Sequence, residues 1–152
     1  MLIREAEACD AEAMSDVLQE LIAAGKRTRS GDRDFVLSHY IRHPQRLHCF
    51  VAVDDGQVLG FQSLKRAEEG NPYGTVKGWG IIGTHVRPMA ARRGVGSRLF
   101  AETLAGARKA KLPAIEAYIG VQNAAALSYY DALGFRTCRH PEGIICKSFM
   151  LS

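Results

Sequence analysis

The chain of 152 residues lacks any apolar run near the roughly 20 residues that a membrane-spanning helix needs, so none is expected. It also lacks the apolar stretch of a secretory signal. The opening MLIREAEACD carries charge almost at once, which makes a cytoplasmic protein the default expectation. Its four cysteines (Cys9, Cys49, Cys138 and Cys146) form no CxxC pair, which argues against structural zinc, and no metal is expected. Cys138 and Cys146 are spaced to face each other across a late hairpin, but in a reducing compartment they read as packing residues. A basic block is missing too. The 20 Lys and Arg against 16 Asp and Glu leave +4 spread along the chain. That pattern excludes a nucleic-acid footprint and admits a small anionic partner. Internal repeats, linkers and low-complexity segments are absent.

What is present is the composition of one globular domain over residues 1–152: 47% hydrophobic and 24% charged residues, enough to bury a core. MLIREA reads as a strand. Helical spacing of Met14, Val17, Leu18, Leu21 and Ile22 after Asp10 predicts a helix up to Gly25. A polar loop follows, then a second helix capped by Asp32 or Asp34 and ended at His43-Pro44. LHCFVAV and VLGFQSLKR, joined through DDGQ, predict an antiparallel hairpin. TVKGWGIIGTHV is the next strand, its glycines marking a bulge or a ligand lying against the backbone. A helix from Val95, the strand LPAIEAYIGV, a short helix NAAALSYYDAL closed by Gly134, and a final strand pair complete an α/β order of β-α-α-β-β-β-α-β-α-β-β.

The stretch VRPMAARRGVGSRLF (Val86 to Phe100) places Gly94 and Gly96 among four arginines where a strand gives way to a helix. Helix N-termini carry unpaired N–H groups and partial positive charge. Glycine lets such backbone approach a ligand closely, and Arg92, Arg93 and Arg98 add attraction for phosphate. The chemistry fits a phosphate cradle, although a solvated glycine-rich turn has the same local pattern. No Gly-Lys-Ser/Thr follows, so it is not a P-loop. The third glycine of a dinucleotide fingerprint would fall at Leu99, so it is not that either.

HVRPMAARRGVGSRLF, followed about thirty residues later by NAAALSYYDALGF, resembles the GNAT superfamily of acyl-CoA-dependent N-acetyltransferases. The family's pyrophosphate loop reads Gln/Arg-x-x-Gly-x-Gly/Ala, and its later helix reads roughly Asn-x-x-Ala, Tyr, Leu-Gly-Phe. Ala91 stands where the loop pattern has Gln or Arg, which removes one side-chain contact. The resemblance implies a mixed, mostly antiparallel sheet with splayed parallel strands, flanked by about four helices. It implies acetyl-CoA as co-substrate, with its pyrophosphate on Arg92, Arg93, Gly94, Val95, Gly96 and Ser97. Its pantetheine would lie along Thr84, His85 and Val86, with Tyr130 also at the cofactor and Asn123 either there too or only the N-cap of its helix. Tyr130 matches the family's frequent general acid, since a phenol keeps its proton until a thiolate forms. Adjacent Tyr129 points elsewhere on the helix.

Three further residues stay open between two readings. Glu116 alternates with Ile115, Ala117 and Ile119, so it is either a base lining the acceptor cleft or a solvent-facing glutamate. His85 is either catalytic or a packed histidine. Trp79 either floors a substrate pocket or sits in the core. His39 and His43, at i,i+4 spacing, read as helix surface. Arg27, Arg29 and Arg33 give the loop before the second helix fixed positive charge that suits an acceptor with an anionic group. The expected function is transfer of acetyl to a primary amine of a small, amino-acid-like molecule or a peptide. The competing class is a non-catalytic CoA- or nucleotide-binding sensor of the same fold. Neither nucleic acid nor membrane is an expected partner, and a homodimer is left open.

Overall fold

The hairpin expected at the DDGQ turn organises the sheet in the computed structural model, which describes residues 1–151. Strand β2 (Arg46–Asp54) runs antiparallel to β3 (Gln57–Arg66). Asp55 and Gly56 turn between them with φ of 50° and 76°. Two positive φ values make the turn whose twist matches that of paired strands. β1 (Leu2–Glu5) pairs with β2, and β4 (Gly80–Val86) pairs antiparallel with β3. β5 (Ala114–Gly120) lies parallel to β4, and β7 (Ile144–Met150) fits between β5 and β6 (Arg136–Arg139). The order across the seven-stranded sheet is β1-β2-β3-β4-β5-β7-β6, mixed and mostly antiparallel as expected.

Alternation along the strands divides the core in two. α1 (Ala11–Ala23) and α2 (Arg33–Val36), which continues as a π-helical turn Leu37–Ile41, pack Met14, Leu18 and Tyr40 against Val51 and Phe61. α3 (Val95–Lys109) and α4 (Ala124–Leu133) cover the opposite face, where Phe100 and Tyr130 meet Leu64, Ile82 and Ile115. Asp32 caps α2, its Oδ1 accepting from Phe35 N–H at 2.8 Å. Asp10 stands before α1 but serves another turn, accepting from Glu7 N–H and from Arg4.

Two expectations need correction. The strand read from Thr75 starts only at Gly80. Asn71 gathers the preceding chain into a loop by accepting from Tyr73 and Thr75 N–H and donating to Thr75 C=O. Cys138 and Cys146 do not face each other. Arg139 pairs with Cys146, and a register shift after Thr137 makes Cys138 the extra residue of a bulge.

β4 and β5 are paired only from Gly80↔Ile115 to Ile82↔Ala117. Beyond Ile82, β4 keeps β3 alone and β5 keeps β7 alone. The sheet therefore opens between Gly83–Val86 and Tyr118–Gly120, and the candidate site is built on that split.

Candidate active site

The chain leaves β4 through Arg87, Pro88 and a loop that ends at Gly94, whose φ of 79° requires glycine at the start of α3. Arg87 anchors this loop. It is buried, donates from Nε to Val58 C=O at 2.6 Å and pairs with Glu20. Ala91 N–H is used by Pro88 C=O, and Arg98 N–H by Gly94 C=O. Between them the N–H groups of Arg92, Arg93, Gly94, Val95, Gly96 and Ser97 meet no acceptor among the described residues. Arg92, Arg93, Gly94 and Ser97 are exposed. Six free donors in sequence at a helix N-terminus fit an anionic group such as a pyrophosphate. Gly96 has a second reason to be glycine. A Cβ there would come within 2.6 Å of the Tyr129 ring.

On the α3–α4 face, the two tyrosines of α4 reach across to β4 just past the split. Tyr129 donates to Gly96 C=O at 2.8 Å and accepts from Gln62 Nε2 at 3.0 Å. The Tyr130 hydroxyl lies 2.7 Å from Thr84 Oγ1, which also accepts from Gln62 Nε2 at 2.9 Å. Burial pushes Tyr129 up to about 12 and Tyr130 further above the phenol range, so both stay protonated. Gln62 Oε1 is buried without a donor among the described residues. Gln62 and Tyr129 escape motif reading because their role comes from meeting across β3, β4 and α4. Asn123 caps α4, its Oδ1 accepting from Ala126 N–H at 3.2 Å.

The opposite face of the split is cationic. His85, paired with Phe61 across β3, sets Nε2 3.2 Å from the Tyr40 hydroxyl. Burial, with Arg27, His39, Arg29 and Lys65 nearby, pushes His85 down to about 3 and leaves the ring neutral. Arg27 and Arg29 stack over Phe35 at 5.5 and 5.4 Å, and Arg29 reaches the Tyr73 hydroxyl at 3.4 Å. Arg33 does not join them: it is exposed on α2, 3.8 Å from Asp34. His39 and His43, expected on a helix surface, instead line a cavity of about 160 Å³ with Gln45, Lys65, Tyr73 and Ile81. Trp79 is partly buried before β4 and lines no part of that cavity.

Glu116 is the clearest correction. It faces this side of the sheet but is neither solvent-facing nor free to act as a base. It is 1% exposed. It accepts from Thr75 Oγ1 at 2.8 Å, from Arg139 at 2.6 and 3.1 Å, and from Cys138 Sγ at 3.4 Å. Burial alone would raise its pKa, but the hydrogen bonds led by Arg139 outweigh it and hold the carboxyl below its usual range.

The fold itself is shared with known proteins. The chain has the fold of the PaiA N-acetyltransferase of Thermoplasma acidophilum, solved in complex with coenzyme A (TM-score 0.81, 17% identity, covering 99% of this chain and 98% of that one). It is similar in the same sense to the ribosomal-protein-alanine N-acetyltransferase of Brucella melitensis (TM-score 0.79, 22% identity, 99% and 100% covered). A third likeness is to yncA of Salmonella typhimurium, solved with its cofactor acetyl-CoA (TM-score 0.76, 22% identity, 99% and 94% covered). Comparison with curated protein sequences finds no match. The sequence model of the acetyltransferase (GNAT) family matches residues 14–135. With that match spanning α1 to the Leu-Gly-Phe after α4, the chain belongs to the GNAT acetyltransferase family.

Proposed function

We propose that this protein transfers acetyl from acetyl-CoA to a primary amine of a small molecule or peptide by direct attack. The reading is carried by one observation: unpaired β4 backbone, six free N–H groups and two protonated phenols converge where β4 and β5 part. The diphosphate of the co-substrate would rest on Arg92–Ser97, with Arg92 and Arg93 beside it. The pantetheine would follow Thr84, His85 and Val86, with Asn123 and Tyr130 near its path. The fold neighbours bound to acetyl-CoA and coenzyme A support that co-substrate.

The amine nitrogen attacks the thioester carbonyl carbon, the C–S bond breaks, and one proton moves in net from nitrogen to sulfur. Tyr130 would offer its hydroxyl hydrogen to the departing sulfur. Its raised pKa keeps the hydroxyl protonated, so that it can hydrogen-bond to the sulfur as negative charge develops there. Neither Glu116 nor His85 suits the opposite task of accepting the amine's proton, one being locked in hydrogen bonds and the other held near pKa 3. The amine's surplus proton would leave to water, a loss that Arg27, Arg29 and Lys65 favour because positive charge around a bound amine stabilises its neutral, nucleophilic form. His85 would then orient the amine through a hydrogen bond, and positioning supplies most of the rate.

The test is release of free CoA thiol from acetyl-CoA by purified protein across a broad amine panel. Amine-dependent release is expected. CoA binding with no release on any amine would assign the chain to the non-catalytic sensor class.

A further inference from the structure

One buried cation lacks the partner that its burial calls for. Three cationic side chains are about 7% exposed: Lys65, Arg87 and Lys147. Arg87 is paired with Glu20 and the Val58 carbonyl, and Lys147 with Asp131 and the Thr137 hydroxyl. Lys65 has no carboxylate partner and no hydrogen-bond acceptor among the described residues. Its Nζ stands over the Tyr40 ring, 5.5 Å from the centroid. A desolvated ammonium without a counter-charge is expensive, and folded chains normally pair it. Burial, with Arg29 pressing from the same side, pushes Lys65 down to about 8.

Lys65 opens into the cavity shared with His39, His43, Gln45, Tyr73 and Ile81. Its volume of about 160 Å³ admits a small organic anion. Glu68 is the acid on its rim, but it is exposed and forms no ion pair with Lys65. Position along the strand links this cavity to the split. Lys65 pairs with Ile81 and Ser63 with Gly83, so the two sites are about 7 Å apart along β3 on the same face.

We propose that Lys65 anchors an anion subsite that takes a carboxylate of the acceptor, making the substrate a small amino carboxylate whose amine lies at Gly83–His85. This rests on the acetyltransferase reading above. Arg29, fixed on Tyr73 at the rim, strengthens the same field, and the neutral His39 and His43 rings supply hydrogen bonds to the anion.

The test compares γ-aminobutyrate with butylamine, and β-alanine with propylamine, as acceptors for the full chain and its Lys65→Met and Lys65→Arg variants. The wild type is expected to favour each amino carboxylate by about tenfold or more in kcat/KM, chiefly through KM. Lys65→Met should bring the ratio to about one, and Lys65→Arg should retain most of it. Equal ratios in wild type and Lys65→Met, or a wild-type preference for the plain amines, would overturn the proposal. Lys65→Met should melt no lower than wild type, because it removes an unpaired buried charge. Calorimetry with glutarate, in the presence of CoA, separates the two readings. Glutarate binding weakened about tenfold by Lys65→Met, with no amine turned over, keeps the subsite and rejects acetyl transfer. Binding unchanged by Lys65→Met, or absent from the wild type, rejects the subsite whatever the turnover.

Discussion

At the scale of single residues, neighbours in sequence stay close in space but take different partners. Tyr129 and Tyr130 are neighbours, and both hydroxyls gather at Gln62 and Thr84, but only Tyr129 reaches the Gly96 carbonyl. We expect Tyr130→Phe to lower turnover about a hundredfold while acetyl-CoA affinity, measured by calorimetry, changes little. Wild-type turnover would make Tyr130 a packing residue of the α4 core. For the phosphate cradle, Ser97→Asp is the cleaner probe. A carboxylate at Gly96 would displace Tyr129 as well as add charge, whereas Ser97 is exposed. Ser97→Asp should weaken CoA binding about tenfold, or 1.4 kcal/mol. Unchanged affinity would move the diphosphate off this loop.

At the scale of elements, the bulge in β6 ties a surface loop to the sheet. The extra residue turns both Cys138 and Arg139 toward Glu116 on β5. Arg139 also donates to Tyr73 C=O at 2.9 Å, and Thr75 binds the same carboxylate, so the loop before β4 closes onto β5. Tyr73 thereby becomes a fixed wall of the cavity lined by His39, His43 and Lys65. Arg139→Leu strands a buried carboxylate and should cost about 3–5 kcal/mol by urea denaturation. The acid response follows from the sign of the shift. Glu116 is held below its unfolded pKa, so its contribution is complete above the ordinary carboxylate range and disappears as pH falls through the folded value. Arg139→Leu should therefore flatten the acid limb of stability against pH, and an unchanged limb would mean that Glu116 does not carry it.

Across the whole molecule, the sheet separates two chemistries. The α3–α4 face presents free N–H groups and protonated hydroxyls at the split, while the α1–α2 face gathers cations around the cavity beside Lys65. Lys65 makes that division measurable as stability. Its pKa falls from 10.5 in the ordinary state to about 8 in the folded chain, so the ammonium opposes folding fully below about pH 8. The penalty fades as pH rises toward the unfolded value. The urea-midpoint advantage of Lys65→Met over wild type should thus be largest near neutrality and shrink between about pH 8 and 10.5. An advantage constant across that interval would show that Lys65 is not desolvated. No helix among the described residues is long and apolar enough to cross a membrane.

The sequence alone determined the element order and the position of the glycine-rich loop before α3, because both rest on local signals: hydrophobic period, the Asp-Gly turn and Gly94 at a helix start. It also determined the family, through two motifs some thirty residues apart. Only the tertiary structure decided the fate of Glu116, which alternation placed on the correct face but whose partners Thr75, Cys138 and Arg139 are 41, 22 and 23 residues away. The same holds for His39 and His43, drawn from an expected surface into a cavity, and for Lys65, an ordinary lysine near the end of a strand. Period and spacing report which way a side chain faces. What then desolvates it, or neutralises it, comes from segments distant in sequence, and pKa and reactivity are set by those.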